Sequence, residues 1–255
     1  MNKDSAIAGL VFLLLSTLSG CSPSTPLEGL AAGETGRVVR VIDGDSLVLD
    51  TGQSVRLVGL EAPSFGRGEE PDQAYADKAK RMLEDLVLGR RVRLYYPGLT
   101  RDKYDRALAH AKTIDDRGPK IWINMALVEA GAARVRAYPD TARLTDFLLE
   151  AEETARAGEI GLWKLADYRP VKAEMAPTSE RGFSLVEGTV AEPVPTDRPG
   201  QLCALSLTGS SLRLVADQTA PRLCDIRPGD RLLARGYTTG NRLYITHDSN
   251  VQLLD

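Results

Sequence analysis

The chain has 255 residues, 43% hydrophobic and 26% charged, which places it among globular proteins and excludes fibrous and disordered classes. Its formal net charge of −3, from 32 Lys+Arg against 35 Asp+Glu, excludes a protein that coats nucleic acid by bulk charge. Two histidines, three cysteines and 5% aromatic residues exclude a His-rich zinc centre, a disulfide-dense scaffold and a long base-stacking platform.

The N-terminus reads as an export signal. Lys3 precedes an apolar run over 6–18, too short for a comfortable membrane span and suited to a signal h-region. Leu18-Ser19-Gly20-Cys21 then resembles the bacterial lipobox, in which cleavage precedes the Cys and its thiol is acylated. The expected divisions are a signal peptide over 1–20 and a flexible tether over 21–35, rich in Ser, Pro, Gly and Ala. Lipidation at Cys21 would anchor the chain to a membrane, and Ser22 resembles the outer-membrane sorting pattern, which would have the protein face the periplasm.

A first domain is expected over 36–170. Val38 to Ile42 is a β-branched strand, and Asp43-Gly44-Asp45 is a turn in which Gly44 is expected to supply a positive φ. Ser46 to Asp50 and Ser54 to Leu60 are the next strands, separated by Thr51-Gly52-Gln53. Ala76, Ala79, Met82, Leu83, Leu86 and Val87 recur at helical spacing, and Gly89 stops that helix. Arg91 to Tyr96 and Arg106 to Ile114 read as two more strands, and Ile123 to Ala130 and Arg143 to Ala157 as two more helices. Leu162-Trp163 is a docking anchor. The fold class is therefore β-rich α+β, a five-stranded OB-type barrel with three helices.

Five segments carry a family resemblance. They are Val41-Ile42-Asp43-Gly44-Asp45-Ser46, Val55-Arg56-Leu57-Val58-Gly59-Leu60-Glu61-Ala62-Pro63, Asp102-Lys103-Tyr104-Asp105-Arg106-Ala107-Leu108-Ala109, the run from Ile123 to Ala133, and Gly161-Leu162-Trp163. In order and spacing they resemble the signatures of the thermonuclease (staphylococcal nuclease) family. That resemblance implies phosphodiester hydrolysis with one divalent metal, usually Ca2+. It implies Asp45, Glu61 and the Ala62 carbonyl as metal ligands, the oxygen donors a hard cation prefers. Arg56 and Arg106 would grip the phosphate, because a planar guanidinium fork meets two phosphate oxygens at once. Lys103 and Tyr104 would contact a terminal phosphate or sugar.

Two positions depart from the family pattern. Glu61 stands where Asp is usual, and flexible calcium coordination tolerates the longer side chain. Ser64 stands where the family has the Glu that orients or deprotonates water. A serine hydroxyl positions water but does not take its proton at neutral pH. Glu69, Glu70 and Asp72 in the following loop are the alternative bases, with solvated loop acids as the other reading. A structural ion pair with Glu61 is the other reading of Arg56. Lys78, Lys80 and Arg81 read as a solvated helix face, and His110 as structural.

Residues 37–170 carry 22 Lys+Arg and 22 Asp+Glu, so this domain is neutral. A short or single-stranded nucleic acid, DNA or RNA, is a better partner for it than a long duplex. A linker is expected over 171–181 and a smaller all-β, OB-like domain over 182–255. Its strands are punctuated by Pro199-Gly200, Thr208-Gly209, Pro228-Gly229 and Gly240-Asn241. No catalytic constellation is visible there, and His247-Asp248 reads as a turn. Cys203 and Cys224 would be either a disulfide, worth roughly 3 kcal/mol in the chain-entropy model, or two buried thiols. The function expected is a membrane-anchored, metal-dependent nuclease outside the cytoplasm. The alternative is a catalytically weakened OB-fold binding or scaffold module of the cell envelope.

Overall fold

Gly44 and Gly59 shape the barrel wall on which the expected site is built. The computed structural model describes residues 26–176 and 182–254, so the expected signal peptide, Cys21 and part of the expected linker lie outside the described residues. The first barrel is built from β1 (Ala31–Asp43), β2 (Ser46–Leu49) and β3 (Ser54–Leu57), then a short β4 (Leu60–Glu61) and α1 (Ala76–Val87). It continues with β5 (Arg91–Tyr96), β6 (Ala107–Thr113), α2 (Ile123–Glu129), a short β7 (Arg134–Val135) and α3 (Thr145–Ala157). The strands close in the order β1-β2-β3-β6-β5. Only β3 and β6 run parallel, with Arg56 opposite Leu108, because α1 and β5 form the crossover between them.

Alternate residues of each strand fill the barrel: Val55 and Leu57, Val92 and Leu94, Ala107, Ala109 and Ala111. α1 closes one end with Ala79, Leu83 and Val87, four residues apart on one face. Asn124 fastens α2 to the barrel. Its Nδ2 donates to the Val58 carbonyl at 2.8 Å and its Oδ1 accepts from Ala111 N at 3.0 Å.

Four sequence expectations need correction. Gly44 does not adopt a positive φ. It is required because a Cβ there would lie 2.6 Å from Ala62 Cβ and 2.8 Å from Ala79 Cβ. The strand expected over Ser54 to Leu60 breaks at Gly59, whose φ is 76°, and Leu60–Glu61 turns away to pair with Val135 and Arg134. Residues 26–35, expected as tether, belong to the barrel: Leu27 is buried and Ala31, Ala32 and Thr35 pair with β5. Their sequence is rich in small residues, yet an open edge of β5 pairs with any extended backbone. Residues 171–176, expected as linker, join the second barrel. There Val171–Lys172 (β8) runs parallel to the next strand, and Ala173 is buried in that barrel's core.

The second barrel repeats the strand order of the first. Its strands are β9 (Gly182–Val194), β10 (Gln201–Leu207), β11 (Arg213–Asp217), β12 (Arg231–Thr239) and β13 (Arg242–Ile245), with β14 (Val251–Leu254) beside β12. The ring β9-β10-β11-β13-β12 closes through β12–β9, and again the third and fifth strands are parallel. Residues 246–250 bulge out between β13 and β14, and His247 Nδ1 accepts from Ser249 N within that turn. Cys203 and Cys224 form a disulfide with Cα atoms 5.7 Å apart, tying β10 to the turn after β11.

The barrels meet through a buried seam. Trp163, Leu162, Ala155 and Tyr168 pack against Leu185 and Leu233. Within the seam Arg235 Nη1 donates to Glu152 Oε2 at 2.5 Å, the two side chains being 2% and 1% exposed. Glu152 Oε1 accepts from Val135 N at 2.6 Å. Loss of one partner would leave a buried charge alone. Arg235→Met should therefore cost about 3–5 kcal/mol in chemical denaturation, with much of the loss recovered by adding Glu152→Gln.

His110 supplies a second stability prediction. Its Nδ1 accepts from Trp122 Nε1–H at 3.3 Å and its Nε2 lies 3.3 Å from the Arg143 carbonyl, the pattern of a neutral ring. Burial lowers its pKa to about 4. The unfolded chain takes that proton near pH 6.5, so stability is complete above about 6.5 and falls as the pH drops toward 4. The loss should total roughly 3 kcal/mol at 1.36 kcal/mol per unit. It is read as the urea-midpoint shift between pH 7 and 4.5 in the parent minus that in His110→Gln, because the raised carboxyl of Asp45 acts in the opposite direction in both proteins, and equal shifts in the two would contradict it.

Candidate active site

At one side of the first barrel a small group of acids gathers around Arg56, whose charge in the barrel wall needs partners. Arg56 lies on β3, half-buried, with its side chain 26% exposed. Burial works against its charge, but Asp45, Glu61 and Asp43 outweigh that and hold its pKa above the usual value. Its Nη1 is 2.9 Å from Asp45 Oδ1, and its Nη2 is 3.9 Å from Glu61 Oε2.

Asp45 sits at the end of the β1–β2 turn and is 2% exposed. Ser46 Oγ donates to its Oδ1 at 2.9 Å and Ala62 N donates to its Oδ2 at 3.1 Å. Burial pushes this carboxyl up to about 7 against the pull of Arg56, and the nearby Asp43 adds to the push. Glu61 is delivered by the turn at Gly59. Its Oε2 is held by Arg136 Nη1, and its Oε1 accepts from Tyr237 Oη at 3.3 Å.

These groups edge a cleft of about 520 Å³. Its walls include Arg56, Glu61, Ser64, Asp102, Arg106, Arg136, Tyr138, Asp140 and Tyr237. Arg106 leads into β6 and is aimed by an Asx turn. Asp102 Oδ1 accepts from the backbone N–H groups of Tyr104 and Arg106 at 2.9 and 3.0 Å, and Asp102 Oδ2 receives Arg106 Nε at 2.7 Å.

Of the residues singled out in the sequence, the structure brings Arg56, Glu61, Ser64 and Arg106 to this cleft. Asp45 lies beneath it, under Arg56, and Ala62 presents its N–H to Asp45. Tyr104 is 69% exposed and lines a neighbouring recess with Thr51, Gln53 and Asp105. Lys103 Nζ lies 5.0 Å from the Tyr104 ring centroid. Glu69, Glu70 and Asp72 are exposed and do not line the cleft; Asp72 instead accepts from Gly66 N at 2.9 Å.

Arg136, Tyr138 and Tyr237 were not picked out in the sequence. The alternation Arg134-Val135-Arg136 in an otherwise apolar stretch is a readable signal for Arg136. Tyr237 has none, since it reaches the cleft from the other barrel.

The donor set suits a hard cation. Three carboxylates, Asp43, Asp45 and Glu61, face two arginines, Arg56 and Arg136, leaving an excess of one negative charge that burial makes costly at Asp45. Among the described residues no three His, Cys, Asp or Glu side chains form a ready ligand group. An ion here would complete its coordination with the Ala62 carbonyl, water or substrate oxygens.

The two arginines should separate in stability. Arg56→Met strands the buried Asp45 and should cost about 3–5 kcal/mol in denaturant unfolding. Arg106→Ala removes a partly exposed pair with Asp102 and should cost less than about 1 kcal/mol. Equal losses would contradict the division of roles.

Comparison with known proteins agrees with this geometry. The family model described as "Staphylococcal nuclease homologue" matches residues 54–165. The "Thermonuclease" of Staphylococcus intermedius is 30% identical over 158 residues, 61% of this chain and 91% of that protein. An "Uncharacterized endonuclease" of Haemophilus influenzae is 35% identical over 176 residues, 68% of this chain and 84% of that protein. With a closed five-stranded barrel, the ordered signature segments and relatives matched over most of their own length, this chain belongs to the staphylococcal nuclease family.

Proposed function

We propose that the chain is a divalent-metal-dependent phosphodiesterase that hydrolyses nucleic acid outside the cytoplasm, held to a membrane by a lipid on Cys21. The observation that carries the reading is the convergence of Arg56, Glu61 and Arg106 on one cleft, in a chain of this family. The cleft walls carry Arg56, Arg106 and Arg136 against Glu61, Asp102 and Asp140. That balance favours a short or single-stranded substrate over a duplex gripped along its backbone.

Asp45, Glu61 and the Ala62 carbonyl would hold the cation, calcium by preference, which when bound supplies charge neutralisation at a phosphate oxygen. Arg56 and Arg106 approach the phosphate from two strands. Arg106 spends Nε and one terminal nitrogen on Asp102, which fixes the plane of its guanidinium. Its other terminal nitrogen is the donor this reading assigns to the phosphate. Such preorganised donors stabilise charge that grows in the transition state. Ser64, whose backbone is pinned by Gln73 on both N–H and carbonyl, orients water without taking its proton.

A second reading, a binding module with weakened catalysis, is favoured by Ser64 together with the distance of the loop acids from the cleft walls. One assay separates the two. The mature protein is incubated with single-stranded DNA and RNA, in calcium or in chelator. Cleavage in calcium alone, abolished in Asp45→Ala, supports the enzyme, whereas binding without cleavage supports the module. In the enzyme, Arg106→Ala should lower kcat about 10²–10³-fold and change KM less. Ser64→Glu should raise kcat about tenfold, tested alone and with Glu61→Asp, because general-base assistance is worth at least that.

A further inference from the structure

The second barrel reaches into the cleft at one point, and that point is Glu61. The Arg136 guanidinium lies between two aromatic rings, 4.3 Å from the Tyr138 centroid and 4.3 Å from the Tyr237 centroid. The Phe183 ring flanks it at 5.6 Å. Tyr138 belongs to the first barrel. Tyr237 on β12 and Phe183 on β9 are cross-strand partners in the second. Phe183 is itself anchored, since its carbonyl accepts from Arg134 Nη1 at 3.0 Å.

We propose that Arg136 is a resident counter-cation of Glu61, locked in place by Tyr237, and that it competes with a divalent cation for that carboxylate. The second barrel thereby sets how tightly the first barrel holds its metal. The proposal rests on the metal-dependent reading given above and assigns Arg136 and Tyr237 as positioning residues.

Both Glu61 oxygens are engaged by this pair. Oε2 meets Arg136 and Oε1 accepts from the Tyr237 hydroxyl. Arg56, 3.9 Å away, adds a second positive charge on the same carboxylate. A divalent cation binding Glu61 must displace the Arg136 contact or share the oxygen against repulsion from both guanidinium groups. A guanidinium stacked on two rings in a partly desolvated position is harder to displace than a free surface lysine, because cation–π attraction grows as water is excluded. An ordinary structural ion pair between domains predicts something different: its loss lowers the melting temperature and leaves metal affinity where it was.

The test is calorimetric titration of the full mature chain with calcium chloride, without nucleic acid, alongside thermal melting of the same samples. Variants are Arg136→Gln, Tyr237→Phe, Tyr237→Leu and, as the baseline without a site, Asp45→Asn. Arg136→Gln should bind calcium about tenfold or more tightly than the parent, since one of two flanking positive charges is gone. Tyr237→Phe keeps the ring and should tighten binding slightly. Tyr237→Leu removes one face of the stack and should fall between the other two. If Arg136→Gln does not fold, Tyr237→Leu carries the comparison. Calcium binding that is sensitive to Asp45→Asn but unchanged or weakened by Arg136→Gln and Tyr237→Leu overturns the proposal alone. Absence of Asp45-dependent calcium binding in every variant overturns the metal-dependent reading and this proposal with it.

Discussion

A guanidinium on a barrel strand, mostly removed from water, must be neutralised where it stands, and the arrangement of the whole cleft follows from how Arg56 is neutralised. Asp45 meets it from the β1–β2 turn. That carboxylate then orders its own surroundings, taking the Ser46 hydroxyl and the Ala62 N–H. Glu61 meets Arg56 from the other side, and does so only because the chain turns at Gly59. An alanine there would strain the backbone and press its Cβ to 2.7 Å from Leu148 Cδ1. Fold and site are thus joined by charge compensation: the acids that could hold a cation are also the acids that keep an arginine in the barrel wall.

Much of the first barrel was legible because its strands alternate and its helices repeat at four-residue spacing. The segments Val92 to Tyr96 and Ala107 to Thr113 each place apolar residues inside. The break at Gly59 was not legible. Val55 to Leu60 reads as one strand, apolar but for Arg56 and Gly59, and only its partner β7, far along the chain, decides that Leu60 and Glu61 leave the sheet. The small-residue stretch over 31–35 reads as a tether because composition reports what a segment prefers alone, while β5 offers it hydrogen bonds that composition does not contain. Val171 to Ala173 misled for the same reason. At the site, Arg56, Glu61, Ser64 and Arg106 could be named from the family resemblance of the segments that carry them. Tyr237 could not, because its relation to Glu61 is made by docking two domains.

Both domains solve the same closure problem in the same way. Three antiparallel strands, a crossover and two more strands leave one parallel pair, β3 with β6 and β11 with β13. In the first barrel the crossover carries a helix that plugs the end, and in the second a short turn tied by Cys203–Cys224 does that work. The smaller barrel has less apolar surface to bury, which is where a covalent tie contributes most.

The seam between the barrels has a consequence for where the molecule can be divided. The family-matched region ends at 165, and a cut shortly after it looks natural on the sequence. Such a cut would bare the packed faces of Trp163 and Tyr168 and leave Glu152 without Arg235. It would also remove the Phe183 carbonyl from the buried Arg134, whose charge burial already disfavours. The first barrel keeps a core of its own, yet part of its surface is completed by the second. An isolated fragment would expose a sticky, wrongly charged surface, and its poor solubility would report the missing neighbour rather than a defective nuclease barrel.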